Sequence, residues 1–149
     1  MTLTDSIGKI ITEIKYCYNP ENEYGLQEFE SFIKIDNDKV IQIPYFPTEE
    51  WNESETLKKF ELARKVESKA IELILNLKII NYHFKYFENE LDEMEKAIIE
   101  LENGLYITEK NGPFGLTDVD LHIMNTTEFL KLKENIESEF EIKPLIISL

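Results

Sequence analysis

Asp118, Asp120 and His122 stand at alternate positions of "TDVDLHIM", with Val119, Leu121 and Ile123 in the places between. In a strand, where successive side chains point to opposite faces, this spacing puts two carboxylates and an imidazole on one side and three apolar groups on the other. Such a trio could hold a divalent metal or relay a proton. Alternation of this kind is also what any half-buried strand shows, and one histidine with two acids lacks the surrounding signature of a metal motif. The sequence therefore predicts no metal and no cofactor.

The other reactive side chains lead to less. His83 lies among Tyr82, Phe84, Tyr86 and Phe87, a setting for a buried hydrogen bond. Cys17, the only cysteine, cannot form an internal disulfide and has Lys15 but no histidine near it in the chain. "NGPFG" lacks the spacing of a P-loop or a dinucleotide fingerprint, and no nucleophile elbow or metalloprotease histidine pair is present. The expectation is a non-catalytic protein.

Charge points elsewhere. The chain carries 16 Lys and Arg against 30 Asp and Glu, a net −14. The excess recurs in every third of the chain, so it acts as a field of the whole protein. Such a field repels nucleic acid and anionic membranes and speeds encounter with a basic protein.

Two stretches concentrate it. "TEEWNESE" surrounds Trp51 with Glu49, Glu50, Glu53 and Glu55 and no base. From Glu88 to Glu102 the acids Glu88, Glu90, Asp92, Glu93, Glu95, Glu100 and Glu102 face only Lys96, a local charge of −6. A large aromatic ringed by acids suits an anchor for a basic protein, with carboxylates meeting Lys and Arg at the rim. The residues expected to bind a partner are Trp51, Glu49, Glu50, Glu53, Glu55, Glu88, Glu90, Asp92, Glu93 and Glu95.

The elements that must position these groups follow from apolar spacing. Leu3, Ile7, Ile10, Ile11, Ile14 and Tyr18 recur every three or four residues, which predicts an amphipathic helix ending before Pro20. Phe32, Ile33 and Ile35, then Asp36, Asn37 and Asp38, then Val40, Ile41 and Ile43, predict a β-hairpin. Pro44 and Pro47 close it, and Thr48 or Asn52 can cap a helix.

No Pro or Gly occurs from Leu57 to Leu101, and apolar residues from Val66 to Leu101 alternate steps of four and three. This predicts a long helix or helical pair carrying a heptad seam. A second hairpin is expected in "GLYITEKNGPFGLTDVDLHIMN", then a helix announced by "NTTE", with Phe129, Leu132, Ile136 and Phe140 on its face. "IKPLIISL" reads as a terminal strand.

The predicted fold class is α+β: a mostly antiparallel sheet of two hairpins and a C-terminal strand, packed against a long central helix or helical pair and two shorter helices. With 149 residues, 42% of them hydrophobic, the chain is expected to form a single domain over 1–149. "MTLTDSIGKII" lacks the pattern of a signal peptide and "IELILNLKII" is too short to cross a bilayer, so a soluble, cytoplasmic protein is expected.

The expected function is non-catalytic: an acidic binding protein of the immunity or inhibitor type, neutralising a basic partner such as a toxin or nucleic-acid enzyme through carboxylates that mimic phosphates. The alternative is an assembly module that homodimerises through the seam of residues 66–101. Direct contact with nucleic acid or membrane is not expected.

Overall fold

The computed structural model describes residues 1–19, 28–36, 38–65, 69–92, 95–110 and 120–146. In chain order these form α1 (Leu3–Ser6), β1 (Ile11–Asn19), β2 (Glu28–Ile35), β3 (Val40–Gln42), α2 (Glu53–Leu62) and β4 (Arg64–Lys65). A 3-10 turn (Lys69–Leu73) leads to β5 (Ile79–Phe87), β6 (Glu90–Leu91), β7 (Ile98–Leu101), β8 (Leu105–Lys110), β9 (Asp120–Asn125), α3 (Thr126–Asn135) and β10 (Phe140–Pro144).

The strands make two antiparallel sheets. One runs β3-β2-β1-β4; the other runs β10-β5-β7-β8-β9, with β6 paired to β5. Strand alternation sends Ile11, Ile14, Ile33, Ile35, Ile41 and Ile43 of the first sheet and its flanks into one buried cluster. Ile79, Tyr82, Phe84, Ile99, Leu101, Ile107 and Leu121 of the second sheet join the same cluster. The core therefore lies between two sheets, with β-branched and aromatic side chains fitted to pleated surfaces.

Each outer face carries one helix. On the first sheet, Phe60 of α2 packs with Phe32 and Val40. On the second, Phe129 of α3 packs with Ile98, Tyr106, Met124 and Ile142. Both helices have asparagine caps: Asn52 Oδ1 accepts from Glu55 N–H, and Asn125 Oδ1 from Glu128 N–H in a complete capping box.

These observations correct the predicted fold class. Among the described residues there is no long central helix behind a single sheet: three short α-helices accompany ten strands. The predicted N-terminal helix stops at Ser6, Gly8 follows at φ +89°, and the chain becomes β1. Its helical spacing comes from a β-bulge between Ile11 and Glu13, which restores Ile14 to the face of Ile11 three residues on.

The predicted helix over 57–101 likewise does not form as one helix. α2 ends at Leu62, and β5, β6 and β7 occupy its second half. A bulge between Ile79 and Asn81 again buries residues three apart, Ile79 and Tyr82. Among the described residues of 66–101 the apolar seam therefore does not run along one helix. Between Leu57 and Leu101 the chain turns without Gly or Pro because other residues take left-handed backbone: Asn76 and Asn89 at φ 68° and Glu88 at φ 47°.

Both predicted hairpins form. Phe32 pairs with Gln42 across β2 and β3, and Ile107 with Ile123 across β8 and β9. The final strand starts earlier than predicted, at Phe140, and Leu145 follows it with its N–H on Tyr82 C=O. Residues 147–149 lie outside the described residues. Among the described residues no helix is long and apolar enough to cross a membrane.

Candidate functional site

The trio of the β9 region is not assembled within the described residues. Asp118 lies outside them, and His122, partly buried, pairs in register with Thr108 of β8. No group of three metal-ligating side chains occurs among the described residues. Nothing is described of the Cys17 side chain.

His83 is 7% exposed on the outer face of β5, beneath α3. Its Nε2 lies 2.7 Å from Glu100 Oε1, and its ring packs against Tyr106 and Phe129 at 5.9 and 4.9 Å. Burial holds its pKa below the ordinary value, against the opposing pull of Glu100. The pair links β5 to β7, while the His83 ring packs on Phe129 of α3.

The acidic stretch around Trp51 is built differently from the sequence expectation. Trp51 is 7% exposed and belongs to the core between the sheets, with its backbone N–H on Met1 C=O at 3.0 Å. The indole is a filler of the interior there. Glu49 Oε2 accepts from Tyr45 N–H at 2.8 Å, and Glu53 Oε1 lies 2.9 Å from Lys39 Nζ and 3.7 Å from the N-terminal amine. The Lys39 hydrogen bond holds the Glu53 carboxyl below its usual range. Glu50 and Glu55 are exposed. Two of these four acids thus hold the fold locally, and two face solvent.

The second stretch is a hairpin. "YFENEL" turns through Glu88 and Asn89, both at positive φ as a type I′ turn demands, and Phe87 pairs with Glu90. Glu88 and Glu90 are exposed, and Asp92 donates its N–H to Lys85 C=O. Glu95 pairs with Lys85 at 3.1 Å. Glu93 is outside the described residues.

At this turn the fold brings in carboxylates that the sequence reading left out. β10 pairs with the end of β5, Phe140 opposite Phe87 and Glu141 opposite Tyr86, and Glu88 N–H reaches Glu139 C=O at 3.0 Å. A groove of about 450 Å³ results, lined by Tyr86, Glu88, Asn89, Ser138, Glu139, Phe140 and Glu141. Three carboxylates line it, with the ammonium groups of Lys143 and Lys85 over the Tyr86 and Phe140 rings. Their sequence signal was "ESEFE", acids at alternate positions of Glu137, Glu139 and Glu141, which the reading of α3 as running to Phe140 concealed.

No family model, curated protein or solved structure matches this chain.

Proposed function

We propose that the protein is a non-catalytic acidic binder that occupies the cationic face of a basic protein, such as a toxin or a nucleic-acid enzyme, with carboxylates standing where phosphates would. One observation carries this reading: acids about fifty residues apart in sequence, Glu88 on one side and Glu139 and Glu141 on the other, line one concave, partly aromatic surface, whose rings Tyr86 and Phe140 already carry the ammonium groups of Lys143 and Lys85. Concave walls of one sign focus the field and raise the local concentration of opposite charge. The net −14 supplies attraction at longer range, within the roughly 8 Å screening length of physiological salt.

The test is capture from native lysate at low and high salt, followed by competition with a DNA oligonucleotide. The reading requires a basic protein that leaves as salt rises and that the oligonucleotide displaces. Capture of no basic protein, or capture indifferent to salt and to DNA, overturns it.

A further inference from the structure

The groove holds a second feature that bears on what it takes. On β10, Glu141 and Lys143 share one face, and Lys143 Nζ sits 5.2 Å from the centre of the Tyr86 ring while lying 3.6 Å from Glu141. An ammonium group of the chain itself therefore already stands over the aromatic ring that lines the groove, beside one of its carboxylates. Lys143 and Glu141 side chains are 40% and 64% exposed, so this contact is loosely held and readily exchanged.

Ring and carboxylates together match one side chain above others. A guanidinium stacks flat on an aromatic face and meets a carboxylate through two parallel N–H bonds; an ammonium is a point charge that does neither. We infer that the groove seats an arginine side chain of the basic partner on the Tyr86 ring, among Glu88, Glu139 and Glu141, and that Lys143 is the internal cation this arginine displaces. The inference rests on the acidic-binder reading and names the residue that reading must engage.

Removing a placeholder should tighten binding, which is the reverse of what loss of a random surface contact does. The probe is a hexa-arginine peptide at low ionic strength, with hexa-lysine beside it, titrated against the full chain. Lys143→Ala is compared with Lys58→Ala, an exposed α2 substitution with the same change of charge. A preference for arginine, and affinity raised about 2- to 5-fold more by Lys143→Ala than by Lys58→Ala, is the expected result. The pair Glu139→Gln and Glu141→Gln should weaken binding more than Glu61→Gln with Glu134→Gln, which remove two helix-surface charges elsewhere. Equal effects within each comparison overturn the groove and leave the acidic-binder reading standing. Absence of any binding by the wild-type chain at low salt overturns both.

Discussion

The Lys96 ammonium and the Glu109 carboxylate form an ion pair inside the protein, with side chains 12% and 3% exposed. Glu109 extends from β8 toward the interior and its Oε1 also accepts the N–H of Ser31, at 3.0 Å, from β2. One side chain thereby ties the second sheet to the first. Burial pushes its pKa up, with Lys96 and the Ser31 hydrogen bonds pulling the other way.

Replacing Glu109 by Ala strands a buried ammonium and a buried N–H together, so it is expected to cost about 3 kcal/mol of unfolding free energy. Glu109→Gln keeps an acceptor for Ser31 and removes a charge that burial opposes, so it should cost distinctly less. Urea denaturation of the two variants decides this. Equal losses would mean that Glu109 fills space and does not hold the sheets.

His83 gives a pH dependence of opposite origin. Its ordinary value of 6.5 is lowered in the folded state by burial, against Glu100, with Lys133 of α3 adding to the lowering. As pH falls the unfolded chain takes this proton first, so the stability it contributes is complete above 6.5 and is lost as pH drops below that value through the lowered pKa. The expected result is a fall in unfolding free energy over that window in the wild type and a shallower fall in His83→Gln. The difference between the two proteins isolates His83 from Glu109 and the surface acids.

Left-handed backbone at Asn89 and Gly104 makes a further pair of expectations. Asn89→Gly should be neutral or stabilising, since the turn already needs φ of 68°, whereas Asn89→Ala should cost about 1 kcal/mol. A Cβ on Gly104, at φ +72°, would meet Thr126 Oγ1 at 2.5 Å, and that hydroxyl donates to Gly104 C=O. Gly104→Ala should therefore destabilise by more than the left-handed penalty of roughly 1–2 kcal/mol. In a Thr126→Ala background the excess should shrink. Thermal melts of the single and double variants would show whether it does.

Local signals in the sequence were legible where they acted alone. The pairings of β2 with β3 and of β8 with β9, and the capping box of Asn125 and Glu128, all form. What misled was period. At Ile11–Ile14 and at Ile79–Tyr82 a bulge slips one strand by a residue, so that buried side chains fall three apart, as on a helix. The β-branched and aromatic run "IINYHF" suits a strand, and the absence of Gly and Pro did not signal a helix there, because Asn76, Glu88 and Asn89 make the turns. The groove escaped notice for a related reason: its two walls are neighbours only after β10 pairs with β5.

The two acidic faces separate experimentally, because only one is free of structural duty. Charge reversal at Glu53 breaks its contacts with Lys39 and the N-terminus, and reversal at Glu49 breaks its bond to Tyr45 N–H, so both should lower stability whatever they do to binding. Glu50→Lys with Glu55→Lys should leave the fold intact, as should Glu88→Lys with Glu139→Lys at exposed positions. If the groove is the contact, the second pair slows association with a basic partner and flattens its salt dependence, while the first pair has the smaller effect expected of long-range charge alone. Buried Trp51 should then keep its emission on complex formation, since no partner reaches the indole. A larger loss from Glu50 and Glu55, accompanied by a shift in that emission, would move the contact to the face around Trp51.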